Sequence, residues 1–217
     1  MSQEPVQKQS IGSGSDPLPL LMQALGHMRP IEGWFPEDEA TLLFTTACKA
    51  LTELPPPGAV VEIGSYCGRS TVMLGAAVQA VRSEAHVFAI DPHEGSLTFH
   101  HTHRSNASQP STVERFTRNI TTAGLQNCVH LIQQRSYEVN WDQPITLIFI
   151  DGLHDYTNVS RDFSHFETWI RRGGYCAFHD YSALFPDVLV FVDEVLRTQP
   201  YRIVEQVGSL ITLQKYL

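Results

Sequence analysis

From residue 59 onward, short apolar runs alternate with amphipathic segments along this chain. The apolar runs have the length of β-strands and cover 59–64, 87–91, 129–134, 145–151 and 175–180. Segments with apolar residues at helical spacing separate most of these runs. Because the runs are apolar on both faces, they predict a parallel sheet that is covered by helices on each side.

Two further runs, 201–207 and 209–216, are separated only by Gly208. A connection this short cannot cross over the sheet, so the last strand has to run antiparallel to its neighbour. The sequence therefore predicts an α/β fold, a doubly wound, seven-stranded, mostly parallel sheet of Rossmann-like type with an antiparallel last strand.

Helix boundaries follow from local signals. Ser111 and Glu114 form a capping box that begins one predicted helix, and Gly124 ends it. A later predicted helix has one apolar stripe, which consists of Val159, Phe163, Phe166 and Ile170.

The chain divides into three predicted parts. Residues 1–17 contain Ser, Gly, Gln and Pro with almost no aliphatic side chains, which predicts a flexible tail. Residues 18–57 are expected to form an N-terminal helical cap, because Pro36 and three acidic residues precede apolar residues at helical spacing. Residues 58–217 are left as the main α/β domain.

Charge and cysteine content narrow the function classes. The chain has 15 Lys and Arg against 23 Asp and Glu, a net charge of −8, so no basic surface is expected for nucleic acid or an anionic membrane. No apolar stretch has the length of a membrane span, the N-terminus lacks the order of a signal peptide, and the four cysteines form no C-x-x-C pair. We therefore expect a cytoplasmic protein whose partner is a small-molecule substrate, and self-association is left open.

In doubly wound sheets ligands bind at the carboxyl ends of the strands, so the residues after each strand are the candidates for chemistry. After the first strand, Gly64 allows a tight turn, and Gly68 lets the next helix begin close to the sheet with free backbone N–H groups. A dinucleotide-binding fingerprint requires a glycine at the position of Tyr66, which argues against NAD and FAD. The turn taken alone is also compatible with a purely structural connection.

Polar residues follow the second and third strands. Asp91 offers a carboxylate that can accept both hydroxyls of a ribose, and Ser136 is placed to line an adenine slot. The alternative for each is an ordinary loop residue, a surface acid and a turn former. Together with the turn after the first strand, they predict a nucleoside site without a phosphate cradle.

The fourth and fifth strands end in residues that can bind a metal or carry a proton, namely Asp151, His154, His179 and Asp180. Carboxylates suit Mg²⁺ or Mn²⁺, and imidazole also admits Zn²⁺ or Fe²⁺. A remaining histidine can act as a base near neutral pH. One such histidine would more often be a structural hydrogen-bonding group, but four such residues on neighbouring strand ends favour a functional site.

Three histidines, His100, His101 and His103, lie in the long loop after the second strand. Their spacing is compatible with a metal-binding tract. Because Ser, Asn and Thr surround them, we interpret the loop as a mobile lid that contacts substrate.

Several motifs resemble those of class I S-adenosylmethionine-dependent methyltransferases, over about Ile31 to Leu217. The motifs are I-E-G-W, V-V-E-I-G-S-Y-C-G-R-S-T, D-P-H-E-G, F-I-D-G-L-H-D-Y and G-G-Y-C-A-F-H-D-Y. The chain is most similar to small O-methyltransferases of the catechol type and of the macrolide-sugar type. The resemblance implies cofactor contacts at Glu62, Gly64, Ser65, Tyr66, Gly68, Ser70, Asp91, Ser136 and Asp151.

The resemblance also implies roles in an acceptor site. Asp151 and Asp180 match the metal carboxylates of the catechol-type enzymes, and His154 lies three residues after Asp151, where those enzymes have a lysine base. The sequence departs from the catechol type at Tyr181, where those enzymes have Asn. It departs from the macrolide-sugar type at His179, where those enzymes have an acid.

The resulting hypothesis is methyl transfer from S-adenosylmethionine to a hydroxyl of a small molecule or sugar, with His154 and Asp151 as catalytic residues. A divalent metal, Mg²⁺ or Mn²⁺, held by Asp151, His179 and Asp180 would assist by lowering the pKa of the hydroxyl. Three alternatives stay open: an NAD-dependent oxidoreductase, a metal-dependent hydrolase that uses the His-rich loop, and a non-catalytic interaction domain.

Overall fold

The computed structural model describes residues 18–81, 84–94 and 111–217. The α-helices in these ranges are α1 (Leu18–Met28), α2 (Glu37–Glu53), α3 (Arg69–Val81), α4 (Thr112–Thr122), α5 (Tyr156–Phe166) and α6 (Pro186–Thr198). The strands are β1 (Ala59–Ile63), β2 (Val87–Ile90), β3 (Val129–Ile132), β4 (Ile145–Ile150), β5 (Ile170–Phe178), β6 (Tyr201–Val207) and β7 (Leu210–Lys215). The predicted tail and the predicted lid histidines, His100, His101 and His103, lie outside the described residues. Within these ranges, no helix combines the length and the apolar surface that crossing a bilayer requires.

The seven strands form a sheet in the order β3-β2-β1-β4-β5-β7-β6. Strands β1 to β5 pair in parallel, whereas β7 pairs antiparallel with both β5 and β6. Gly208 adopts a φ of 56° in the tight turn between β6 and β7. The predicted fold class is confirmed, including the antiparallel last strand.

The register of the parallel strands places their carboxyl ends side by side. Ile63 at the end of β1 pairs with Ile90 of β2 and with Ile150 of β4. Ile150 in turn pairs with Phe178 at the end of β5. The residues that follow these four positions therefore meet at one edge of the sheet.

Helices cover both faces of the sheet, which explains why β1 and β4 are buried along their whole length. On one face, α1, α2 and α3 pack through an apolar cluster that includes Met28, Leu43 and Leu74. On the other face, α5 and α6 pack through a second cluster that includes Phe163 and Val192. The predicted N-terminal cap, α1 and α2, therefore shares one apolar core with the main domain. Each large side chain buried in this core stabilises the fold by about 1.5–3 kcal/mol.

The structure differs from the sequence prediction at Ile170. Helical spacing predicted a helix through this residue, but α5 ends at Phe166 and Ile170 is the first residue of β5. Ile170 is buried, as its place in the apolar stripe indicates, and it pairs with Ile145 of β4. The strand pairing of Ile170 depends on β4, which is distant in sequence. The spacing of apolar residues along α5 does not indicate such a pairing.

The predicted start of α4 is confirmed at the level of single hydrogen bonds. The Ser111 hydroxyl accepts from the Glu114 backbone N–H at 3.3 Å, and the Glu114 carboxylate accepts from the Ser111 N–H at 2.8 Å. Gly124 follows the helix with a φ of 72°. These contacts fix a helix whose Phe116 ring lies against Gly68, in the turn after β1.

Candidate active site

The turns after β1, β4 and β5 extend the hydrogen-bond ladder of the sheet by one residue. The backbone N–H groups of Gly64, Asp151 and His179 donate to carbonyl groups of neighbouring strands at 2.9, 2.8 and 3.1 Å. Residues on such a ladder have little freedom to move. The predicted site residues that follow these strands are therefore attached to a rigid edge of the sheet.

Gly64 brings two of these turns into direct contact. Its φ is 87°, and a Cβ atom at this position would lie 2.1 Å from the Asp151 carbonyl oxygen and 2.9 Å from the Cα of Gly152. Both neighbours are backbone atoms, so no side chain fits here. The turn that is predicted to bind the cofactor thus touches the turn that carries Asp151.

The carboxylate of Asp91 is held by main-chain groups. Its two oxygens accept hydrogen bonds from the backbone N–H groups of Tyr66 at 2.8 Å and His93 at 2.7 Å. Tyr66 and His93 have φ values of 45° and 54°, which are uncommon for residues other than glycine. Each carboxylate oxygen has a second lone pair, as the predicted contact with ribose hydroxyls requires.

Two buried polar atoms in these turns have no hydrogen-bond partner among the described residues, the hydroxyl of Ser65 and Nε2 of His93. A buried polar group that stays unsatisfied costs about 1–3 kcal/mol. A polar ligand held between the turns would satisfy such groups. This part of the site therefore fits a nucleoside cofactor.

Glu62 and Ser70, both predicted to contact the cofactor, contact each other. The buried carboxylate of Glu62 accepts hydrogen bonds from the hydroxyls of Ser70 and Thr71 at the start of α3. Burial raises the pKa of Glu62 to about 8, although the two hydroxyl bonds act in the opposite direction. The contact ties β1 to α3 beneath the turn, and direct contact of these residues with the cofactor stays a prediction.

Ser136, predicted to line the adenine slot, is buried and donates a hydrogen bond to Asp162 of α5. Burial raises the pKa of Asp162 to about 6, against the effect of the Ser136 bond. A Cβ atom on Gly152 would lie 3.1 Å from Oδ2 of Asp162, so this carboxylate lies next to the turn after β4. Sequence reasoning missed Asp162, although an acid within the apolar stripe of Val159 and Phe163 is a usable signal.

Asp151, His154 and Asp180 form a compact group at the ends of β4 and β5. One potential ligand atom from each lies within 4.8 Å of the others. Nε2 of His154 is 2.9 Å from Oδ2 of Asp180 and 3.8 Å from Oδ1 of Asp151. Two carboxylates and an imidazole are a donor set that fits Mn²⁺, Zn²⁺ or Fe²⁺, and the carboxylates alone suit Mg²⁺.

These groups shift one another's ionisation. Burial lowers the pKa of His154, but hydrogen bonds and charges of Asp151 and Asp180 outweigh burial and raise it to about 9. Burial raises the pKa of Asp180, but hydrogen bonds from His154 and His179 outweigh burial and lower it. At neutral pH the ring of His154 therefore carries a proton between two carboxylates.

His179 lies behind this group and is buried. Its Nδ1 is 3.0 Å from Oδ1 of Asp151, and its Nε2 is 2.8 Å from Oε2 of Glu39. Burial lowers the pKa of His179, but the charge and hydrogen bond of Asp151, with further bonds to Asp180 and Glu39, raise it to about 12. The structure thus groups His154 with the two aspartates as potential metal ligands, where the sequence predicted His179.

A protein-family model described as "Methyltransferase domain" matches residues 61–181, which is more than half of the chain. The chain belongs to this methyltransferase family. The matched range runs from β1 to the turn after β5, so it includes every turn of the methyltransferase site described above. The protein is an S-adenosylmethionine-dependent methyltransferase, and the oxidoreductase, hydrolase and non-catalytic alternatives are set aside.

Solved structures with the same fold include several methyltransferases. The O-methyltransferase NovP has a TM-score of 0.68 at 15% identity, over 85% of this chain and 84% of that chain. TomG from Streptomyces achromogenes, an O-methyltransferase in complex with SAM, has 0.61 at 15% identity, over 91% and 89%. CalS11, a TDP-rhamnose 3'-O-methyltransferase, has 0.62 at 13% identity, over 91% and 93%. At these identities the likeness shows the fold alone.

Proposed function

We propose that this methyltransferase methylates a hydroxyl of a small molecule or sugar. In this proposal Asp151, His154 and Asp180 activate the hydroxyl. One observation carries the proposal: the turns at Gly64 and Asp151 are in backbone contact. Asp151, His154 and Asp180 therefore lie next to the turn after β1, which is predicted to bind the cofactor. When bound, S-adenosylmethionine supplies an electrophilic methyl group, so the protein has to orient the acceptor and remove its proton.

The cofactor is held, in this proposal, by the turns after β1, β2 and β3. Asp91, which two backbone N–H groups hold in place, would accept hydrogen bonds from the ribose hydroxyls. The unpartnered hydroxyl of Ser65 bonds to a polar group of the cofactor. Ser136, supported by Asp162, forms the floor of the adenine slot.

His154 is the proposed base. Its side chain is 30% exposed, so an acceptor can reach the ring, and the bond to Asp180 orients it. A divalent cation such as Mg²⁺ or Mn²⁺ would be held by Asp151 and Asp180 and would lower the pKa of a bound hydroxyl. His179 is left out of the proposed metal site, because both of its ring nitrogens are hydrogen-bonded to carboxylates.

Two observations support a small molecule as the methyl acceptor. A net charge of −8 favours a small molecule over nucleic acid. TomG is described as involved in tomaymycin synthesis, and CalS11 as acting on a sugar nucleotide, TDP-rhamnose. All four cysteines are free thiols, which fits a reducing compartment, so the cytoplasm is the proposed location.

The test is a transfer assay with S-adenosylmethionine labelled on its methyl group. Matched acceptors carry a hydroxyl, an amine or a thiol on the same ring or sugar. We expect transfer to the hydroxyl series, loss of transfer in Asp180→Asn, and wild-type transfer in Asp142→Asn, which changes an exposed acid before the start of β4. Transfer confined to amines or thiols would overturn the proposal.

The role of a metal is tested in the same assay. Excess chelator is expected to reduce transfer, and Mg²⁺ or Mn²⁺ is expected to restore it. Full activity in chelator would remove the metal from the proposal and leave His154 to activate the hydroxyl alone.

A further inference from the structure

Three acidic residues begin α2, and one of them differs from the other two. Glu37 and Asp38 are exposed, whereas Glu39 is only 3% exposed. The helix dipole accounts for acids in a first turn, but it does not require burial. The burial of Glu39 needs a separate reason, because a buried carboxylate is costly unless it is paired.

The carboxylate of Glu39 accepts hydrogen bonds on both oxygens. Oε2 accepts from Nε2 of His179 at 2.8 Å, and Oε1 accepts from the backbone N–H of Ser209 at 2.6 Å and from its hydroxyl at 3.0 Å. A Cβ atom on Gly208 would lie 2.3 Å from the same Oε1. The turn between β6 and β7 is therefore shaped around this carboxylate.

His179 connects Glu39 to Asp151, one of the three residues proposed to activate the hydroxyl. Its Nδ1 lies 3.0 Å from Oδ1 of Asp151, which is shorter than the 3.8 Å between Asp151 and His154. Phe35 packs edge-on against the His179 ring, with ring centroids 5.3 Å apart, and leaves the ring little room to turn. A continuous line of contacts thus runs from the N-terminal helix α2 into the site.

We infer that Glu39 is a positioning residue for methyl transfer, an inference that rests on the proposed function. By accepting from Nε2, Glu39 holds the Nδ1–H of His179 against Asp151 and fixes the orientation of that carboxylate beside the cofactor turn. Glu39 itself bonds to His179 and Ser209, so its effect on turnover passes through the His179 ring. A misplacement of about 1 Å in a catalytic constellation can cost on the order of 100-fold in rate.

Variants of the full chain separate positioning from stability. Glu39→Ala removes the acceptor of Nε2, and we expect kcat to fall by about 10- to 100-fold while the affinity for S-adenosylhomocysteine stays unchanged. Glu39→Gln keeps an acceptor oxygen for Nε2 of His179 but turns an NH2 group toward the backbone N–H of Ser209, so it is expected to restore part of the lost turnover. Ser209→Ala is the control, because it removes a hydrogen bond to the same carboxylate and leaves the His179 bond intact. It is expected to lower Tm without changing kcat.

A double-mutant cycle with His179→Gln identifies the route. We expect Glu39→Ala to lower kcat in the wild-type background and to have no further effect in the His179→Gln background. Equal losses in both backgrounds would overturn the inference, and so would a wild-type kcat in either single variant. Because His179→Gln keeps the bonds between Glu39 and Ser209, its kcat tests the route even where Glu39→Ala does not fold.

Crystal structures of the wild type and Glu39→Ala, each with S-adenosylhomocysteine, give a readout that needs no acceptor. The Asp151 carboxylate is expected to change orientation in the variant, and an unchanged orientation overturns the inference. If the orientation changes but the wild type methylates no hydroxyl, the proposed function fails while the positioning of Asp151 by Glu39 stands.

Discussion

The cofactor side of the site, at the ends of β1 and β2, and the acceptor side, at the ends of β4 and β5, are built by different means. On the cofactor side, Asp91 is held by backbone N–H groups, and Gly64 supplies a turn that no side chain can enter. On the acceptor side, Asp151 is held by His179, which depends on Glu39. The main-chain donors on the cofactor side are present whatever the side chain of the donor residue is, whereas the contacts on the acceptor side are lost when one side chain is replaced.

The largest expected effect is on the acceptor side. Above about pH 9, where the ring of His154 is unprotonated, His154→Ala should lower turnover by about 100- to 10,000-fold, the usual contribution of a general base. The affinity for S-adenosylhomocysteine, measured by calorimetry, should stay unchanged because the cofactor side is held independently. His130→Ala, on the edge strand β3, is the control. Turnover within about threefold of wild type, far below the expected loss, would assign the base to another group.

The pH dependence of turnover sharpens the same contrast. The two aspartates raise the pKa of His154 to about 9, above its usual value, so the protonated ring persists through neutral pH and cannot accept a proton. In metal-free enzyme, turnover should therefore fall by about tenfold for each pH unit below this pKa, while cofactor affinity changes little. An acid limb near pH 6 to 7, the usual range of about 6.5 for histidine, would contradict this expectation.

On the cofactor side, Asp91→Ala should weaken S-adenosylhomocysteine binding by about 10- to 100-fold, since it removes charge-assisted hydrogen bonds to the ribose. Asp142→Ala is the control, because Asp142 is an exposed acid before the start of β4, at the opposite edge of the sheet from the site. Calorimetry of both variants is the measurement. Wild-type affinity in Asp91→Ala would remove Asp91 from the cofactor site.

The smallest expected effect concerns the adenine slot. Ser136→Ala breaks the hydrogen bond to buried Asp162 and should weaken cofactor binding by about fivefold, which corresponds to the roughly 1 kcal/mol of one hydrogen bond. Ser164→Ala, at an exposed position of α5, should leave the affinity unchanged. A Ser136 variant that loses turnover but keeps its cofactor affinity would contradict the assignment of Ser136 to the cofactor side.

The fold, and the edge of the sheet at which the candidate site lies, follow from the amino-acid sequence. The alternation of apolar runs, the single-glycine link at Gly208 and the capping box of Ser111 and Glu114 act between residues that are close along the chain. The parallel register then brings the residues after each strand to one edge, so Asp91 and Asp151 could be placed at the site without a structure.

The assembly of the acceptor side depends on contacts between residues that are far apart in sequence. The tertiary structure placed His154 between Asp151 and Asp180, and it paired His179 with Glu39, which is 140 residues away in sequence. The sequence pattern indicates only that Glu39 lies in the first turn of a helix. It does not predict the contact with His179. The physical reason is that the direction of a buried side chain is set by its packing against distant elements, and periodicity encodes only which face of an element is buried.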